Sequence, residues 1–342
     1  MKKFLSILMA VTMMATVLTG CGAKKEEAPA ASAPAASAPA VEATDTNTVA
    51  IGAVVLARDD ISEDEIYTFV STIFENTDAI TSQHAKGAEL SLEYAASMTS
   101  VPYHPGAAKY FKEKGIEVAS VKEGAGAGAA RGSLTFGTGG ESGTYYAFGG
   151  VLGAYVSNNT DLSITTVTSG GSAVNIDDMV SDNVQICFCQ SDVMAYAYNG
   201  ERLFDGAAVE DFSVVAALYM EAVQIVTNNP DIKTVADLKG KKVSVGAAGS
   251  GTYFNAIDAL EAYGMTESDI SPVYQSFGDS TESLKDGKID AAFVVAGAPT
   301  TSIVDLATAT DVYLVNIDGA ECEAMLAASP YYSTYVIPAG TY

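Results

Sequence analysis

Short apolar runs alternate with amphipathic stretches from Gly132 to the end of the chain, the pattern of an α/β protein. Strands are predicted at 133–138 (SLTFGT), 163–168 (SITTVT), 184–189 (VQICFC), 213–226 (SVVAALYMEAVQIV), 242–247 (KVSVGA), 271–276 (SPVYQS), 289–295 (IDAAFVV) and 312–317 (VYLVNI). Between them the periodicity predicts helices starting near Thr144, Ala173, Asp192, Val235, Thr252, Ser280 and Pro299. The stretch 48–116 reads differently: one strand (VAIGAVVLA, 49–57) and helices from Ser62 to about Phe74, Asp78 to about Lys86 and Gly106 to Lys114. Ser62, with Glu65 three positions on, has the spacing of a capping box. A single strand makes no sheet, so this one must pair with the strands that follow.

One repetition organises the pattern. Ser142-Gly143-Thr144-Tyr145-Tyr146 recurs 108 positions later as Ser250-Gly251-Thr252-Tyr253-Phe254, each copy following a strand and a Gly-rich turn and opening a helix. Two equivalent strand-turn-helix units predict two lobes that present helix N-termini to a shared crevice. The plainer reading is that Ser and Thr simply cap their helices there.

The chain begins with Lys2 and Lys3, a short apolar run and Leu18-Thr19-Gly20-Cys21, which reads as a lipoprotein signal peptide (1–20) whose Cys21 takes the lipid. Residues 21–46, rich in Ala, Pro and Ser, read as a tether with too little apolar surface to order itself. Residues 117–132 hold a Gly/Ala run (Glu123 to Gly132), expected to join two points without imposing structure.

The 18 Lys and Arg against 42 Asp and Glu give a net charge of −24, which repels nucleic acid and anionic membrane surfaces. Hydrophobic residues at 48% still supply a packed core, so this is no disordered acidic tail. Beyond Cys21, Cys187, Cys189 and Cys322 have no metal-ligand spacing and read as buried thiols. No GxSxG elbow or GxxxxGK[ST] loop occurs, GTGGES lacks the third glycine of a dinucleotide fingerprint, and His84 and His104 have no evident nucleophile. The expectation is a binding protein, not an enzyme, with neither cofactor nor metal; a structural or adhesive surface lipoprotein is the alternative.

TFGTGGESGTYYAFGG (135–150), TSGGSAVNI (168–176), the QSD at 190–192, DLKGKKVSVGAAGSGTYFNA (237–256) and LKDGKIDAAFVVAGAPT (284–300) resemble the TAXI family of solute receptors that serve TRAP transporters. That resemblance implies a two-lobed type II periplasmic-binding-protein fold, each lobe a mixed sheet flanked by helices. It also implies a monomer that hands a small carboxylate or an amino acid, glutamate- or glutamine-like, to a TRAP-type membrane permease. VLARDDIS (55–62), HAKGAELSLE (84–93) and VPYHPGAAKYFKEKGI (101–116) resemble the C-terminal end of the same family, yet here they come first. The order therefore predicts a circular permutation. Lobe one would be 47–226, made of the family's C-terminal segment (47–116), the linker (117–132) and its N-terminal segment (133–226); lobe two would be 227–342. Residues 213–226 and Val49–Ala57 would be the strands that cross between lobes.

With three Arg in the chain, a ligand carboxylate is expected at helix N-termini, whose unpaired N–H groups hold an anion without a cationic side chain. The candidates are Gly140, Ser142, Gly143, Thr144 and Tyr145 on one side and Ser250, Gly251, Thr252 and Tyr253 on the other. Gly171, Ser172 and Asn175 make a third such turn, Gln190 ends a buried strand, and Gly297 lies in a small-residue turn that could wall the pocket. For a ligand ammonium the acids open to choice are Asp192, Glu221 and Asp279, with Asp192 expected rather to cap its helix. The periodicity leaves open which way Tyr219 and Glu221 face.

Overall fold

The computed structural model describes residues 44–342. The predicted signal peptide, Cys21 and most of the tether lie outside the described residues. In chain order the first elements are β1 (Thr46–Arg58), α1 (Glu63–Phe74), α2 (Thr77–Thr81), α3 (Leu92–Ala95), α4 (Pro105–Glu113), β2 (Ser133–Gly137) and α5 (Thr144–Asn159). Then come β3 (Ser163–Val167), α6 (Ser172–Val180), β4 (Ile186–Gln190), α7 (Ser191–Asn199) and β5 (Phe212–Thr227). The rest is β6 (Lys242–Ser244), α8 (Gly251–Ala262), β7 (Ser271–Val273), α9 (Phe277–Lys285), β8 (Ala291–Ala296), α10 (Thr301–Ala307), β9 (Tyr313–Val315), α11 (Gly319–Ala328) and β10 (Ser333–Ile337).

β1 and β5 are long, apolar and buried along nearly their whole length, as strands covered on both faces must be. They pair antiparallel from Ala50↔Ala222 to Arg58↔Phe212. Each serves two groups of strands. The C-terminal half of β1 pairs β4, which leads to β2 and β3; its N-terminal half pairs β10. The C-terminal end of β5 pairs β8, which leads to β6 and β7, and on its other edge β9. The outcome is a mixed sheet in the order β3-β2-β4-β1-β5-β8-β6-β7, with β10 and β9 added to β1 and β5.

Two main apolar cores flank the crossing strands. Phe69, Tyr103, Phe111, Phe136, Phe148 and Phe188 fill one lobe; Val243, Leu260, Phe293 and Val315 fill the other. Helix starts fall within three positions of those predicted, and the strand at 49–57 finds partners in β4, β5 and β10 as required. Cys187, Cys189 and Cys322 are buried free thiols. Among the described residues no helix is long and apolar enough to cross a membrane.

The linker differs from expectation, because its backbone finds partners. Tyr103 donates to Ser120 O (2.9 Å) and Lys122 N–H returns a bond to Tyr103 O (2.9 Å). Gly126 bonds Asp59 O (2.8 Å) and Glu63 N–H bonds Gly126 O (3.0 Å). The capping box forms only by half: Ser62 Oγ accepts from Glu65 N–H, but the Glu65 carboxylate takes the N–H groups of Arg131 (2.7 Å) and Gly132 (2.8 Å). At Gly128 a Cβ would overlap the Asp60 carbonyl, so this contact admits only glycine. Close packing against the 59–65 turn requires the glycine at Gly128, while Gly124, Gly126 and Gly132 hold φ of 80°, 78° and 69°, a conformation that favours glycine.

Candidate functional site

Parallel strands deliver their following turns to one edge of each lobe, and the two edges face each other across a cleft of about 140 Å³. From the first lobe come the β2–α5 turn with Gly139, Gly140, Gly143 and Thr144, and the β3–α6 turn with Ser169, Gly170, Gly171 and Ser172. Gly171, with φ of 111°, holds a backbone conformation that side-chain-bearing residues avoid. The second lobe supplies Ala247, Ser250, Gly251 and Thr252 at the start of α8, Ser276 and Phe277 at the start of α9, and Val295 and Ala296 at the end of β8. Ser250 Oγ caps α8 by accepting from Tyr253 N–H (3.3 Å). Helix N-termini, with their unpaired N–H groups and positive dipole ends, thus surround the space.

Bonds bridge the lobes around it. Ala173 N–H donates to Gly249 O (3.1 Å), Ser302 N–H to Ser142 O (3.3 Å) and Thr144 Oγ1 to Gly297 O (3.1 Å). Beyond the cleft, Asn255 of α8 donates to Asp192 of α7 (3.0 Å) and to Tyr332 Oη (2.7 Å). Tyr332 donates to Asp258 (2.9 Å), which holds Arg202 of the first lobe (2.7 Å).

The cleft contains one carboxylate, Glu221 of β5, 2% exposed. Tyr145 Oη donates to it at 2.7 Å, with its ring stacked on Phe188. Burial pushes Glu221 up to about 8, against the opposing pull of the Tyr145 hydroxyl, the Lys86 charge and the Gln190 amide. Gln190 Oε1 is buried without a protein partner and lies against Gly251 across the cleft. Such an oxygen and a proton-holding carboxyl, both at the cleft, form a place for a hydrogen-bond-donating cation.

Of the expected residues, Gly140, Gly143, Thr144, Tyr145, Gly171, Ser172, Gln190, Ser250, Gly251 and Thr252 line the cleft. Four do not. Ser142 borders a separate depression with Asp279 and Lys285. Asn175 is buried below, donating to Thr138 O (2.7 Å) and Phe188 O (2.8 Å), so it braces the turn. Tyr253 faces outward beside Tyr274 and meets Glu267 (3.4 Å). Gly297 lies behind the wall, where its carbonyl accepts from Thr144 and Thr300.

Among the three acids, Glu221 alone reaches the cleft. Asp279 is exposed. Asp192 is not the cap, which is Gln190; its carboxyl is fully buried, bonded to Val193 N–H (2.7 Å) and Asn255, and burial pushes it up to about 7. Glu221 faces inward with Tyr219, a choice that the uniform burial of β5 concealed from periodicity. Lys86 was not foreseen: it is 4% exposed, the one Lys or Arg fully buried among the described residues.

Residues 16–115 and 136–342 match the family described as NMT1-like. A protein of Escherichia coli (strain K12), described as "Putative aliphatic sulfonates-binding protein", is 39% identical over 69 residues, 20% of this chain and 21% of that protein. The alkanesulfonate-binding protein SsuA of Xanthomonas axonopodis pv. citri, solved with MOPS bound, superposes with a TM-score of 0.38 at 20% identity, covering 55% of this chain and 61% of its own. Holo ArgBP from T. maritima superposes with a TM-score of 0.39 at 15% identity, covering 61% and 84%. The chain therefore spans about a fifth of the curated relative and under two thirds of SsuA.

Proposed function

Since the chain belongs to the NMT1-like family, matched over most of its length, we propose that it is an extracytoplasmic solute-binding protein that closes two lobes around a small amino acid. One observation carries this reading: helix N-termini from both lobes and the Glu221–Gln190 pair converge on one ligand-sized cleft. The ligand carboxylate is held at the starts of α5 and α8 by backbone N–H groups and by the hydroxyls of Ser250 and Thr252, while Thr144 ties the α5 turn to Gly297 O. Its ammonium takes Glu221 and the unpartnered Gln190 Oε1. A glutamate- or glutamine-like amino acid fits this pairing; a dicarboxylate is the second candidate.

Cys21 anchors the chain through lipid, residues 21–46 tether it, and a TRAP-type permease receives the ligand. The lobes run 47–226 and 227–342, joined in permuted order. Three features support the permutation. The family match falls in two pieces that flank the linker. β1 and β10 pair with each other, and Ala339 N–H bonds Asp45 (2.9 Å), so the ends of the folded body are adjacent, as permutation needs. Linker residues are bonded to the turn at 59–65.

Thermal unfolding of residues 44–342 against amino acids, dicarboxylates and a simple alkanesulfonate tests the reading. A ligand at 100 times its Kd adds about 2.7 kcal/mol, a shift of several degrees. A shift with amino acids supports it; a shift with dicarboxylates or sulfonates alone refutes the ammonium site, and no shift refutes the binding role.

A further inference from the structure

The segment 47–116 supplies no side chain to the lining of the cleft, yet it places the buried cation next to it. Lys86 sits on the 3-10 turn Ala85–Glu89, fixed by its own N–H bonding His84 Nδ1 (3.2 Å). Its stem passes Gly297 so closely that a Cβ there would collide with Lys86 Cε. The ammonium pairs with Glu89, whose side chain is 38% exposed, and lies 5.5 Å from the centre of the Tyr219 ring. Tyr219 is two positions from Glu221 on β5, on the same side of the strand.

The ionisable groups that face Glu221 are Lys86, Tyr94 of α3, Tyr145 of α5, Cys189 of β4, Asp192 of α7 and Tyr219 of β5. Lys86 is the cation of that set; Tyr145 donates a hydrogen bond to the Glu221 carboxylate, and the Asp192 charge repels it. We propose that Lys86 is a positioning residue for the ligand: its ammonium eases the ionisation that Glu221 undergoes as it takes the ligand's ammonium, so the cleft selects a zwitterion over a dicarboxylate. This rests on the amino-acid reading above and assigns its charge selectivity to a residue that the ligand does not touch.

The consequence is a defined pH profile. A bound ammonium displaces the proton from Glu221, so affinity rises with pH up to the value near 8 at which the free chain loses that proton. Removing Lys86 makes ionisation harder and moves the profile to higher pH. Neutralising Glu89 leaves the Lys86 charge uncompensated and moves the profile to lower pH.

Calorimetric titration with L-glutamine and L-glutamate between pH 5.5 and 8.5 reads this on the unaltered chain, Lys86→Met and Glu89→Gln. The expected outcome at pH 7 is binding about tenfold weaker in Lys86→Met, with the gap narrowing toward pH 8.5, and tighter binding in Glu89→Gln. Glu89 is part-exposed and glutamine keeps an oxygen that accepts from the Lys86 ammonium, so Glu89→Gln, once its thermal unfolding shows it folded, carries the test should Lys86→Met fail to fold. Three results overturn the proposal while leaving the amino-acid reading intact: an affinity independent of pH in the unaltered chain, an equal loss at every pH in Lys86→Met, or Glu89→Gln binding no tighter. If the unaltered chain binds neither probe, the underlying reading fails and this proposal with it.

Discussion

Gly251→Ala separates closing from folding. Gly251 opens α8, where its backbone is helical and alanine is intrinsically better by up to about 0.5–1 kcal/mol. The three atoms nearest to a methyl group at this position all belong to Gln190 of the first lobe. Across the cleft that Cβ would sit far inside van der Waals contact of Gln190 Oε1 and Cδ, and 3.1 Å from its Cγ. Gln190 is 2% exposed and its amide oxygen faces Gly251, so it has little room to withdraw. Forcing extra volume into such a contact costs about 1–3 kcal/mol. The cost falls only on the closed arrangement, so ligand affinity drops by about 5- to 150-fold. The unliganded melting temperature stays level or rises by no more than about 2–4 °C. Titration calorimetry and thermal unfolding on one preparation read both quantities. Unchanged affinity, or a lowered melting temperature with affinity kept, would show that Gly251 and Gln190 do not meet when the ligand is bound.

Other expected outcomes follow from the same geometry. Gly128→Ala drives a methyl group into the Asp60 carbonyl and lowers stability by about 1–3 kcal/mol in urea unfolding, with the Kd unchanged because the linker is remote from the cleft. In the unliganded chain Asp192 (about 7 folded, 3.8 unfolded) and Glu221 (about 8 folded, 4.5 unfolded) bind protons more tightly when folded, so each removes stability as pH rises through those windows. His104, held near 4 by burial against 6.5 unfolded, contributes fully above 6.5 and is lost as pH falls toward 4. The urea midpoint therefore falls between pH 6.5 and 8, and Glu221→Gln flattens that fall. Asn255→Asp sets a second carboxyl against Asp192 between the lobes, where the two must share a proton. Relative to the unaltered chain at the same pH, ligand affinity in this variant is more than about tenfold weaker at pH 8 and about equal at pH 5.5, and an equal loss at both would refute the repulsion.

How much of this was legible in the sequence depends on whether the determining contact is local. β1 and β5 could be read because a long run of apolar residues has few destinations in an α/β chain, and the helix starts because Gly, Ser and Thr cap over three positions. α11 and β10 gave no such signal: GAECEAMLAA buries only Cys322 and Met325, and STYVI is an exposed edge strand defined by its pairing with β1. The glycine run looked like a passive connector because composition does not reveal a close approach, and the Asp60 carbonyl behind Gly128 is a tertiary fact.

The cleft shows the same division more sharply. Tyr145 and Tyr253 occupy equivalent places in a five-residue repeat, and from the repeat alone both belong to the site. In the folded chain Tyr145 turns inward because Glu221 receives its hydroxyl at 2.7 Å; Tyr253 turns outward toward Glu267. The asymmetry comes from β5, which runs past both lobes but carries a single carboxylate, set on the first lobe's side of the cleft. A repeat can specify two matching helix N-termini, and so a place for an anion. It cannot specify a second, different charge, because that charge comes from a strand outside the repeat, and its balancing cation, Lys86, from a turn more distant still. The anion half of the site was therefore readable from local spacing, whereas the cation half exists only once Glu221, Gln190 and Lys86 have been brought together by the sheet.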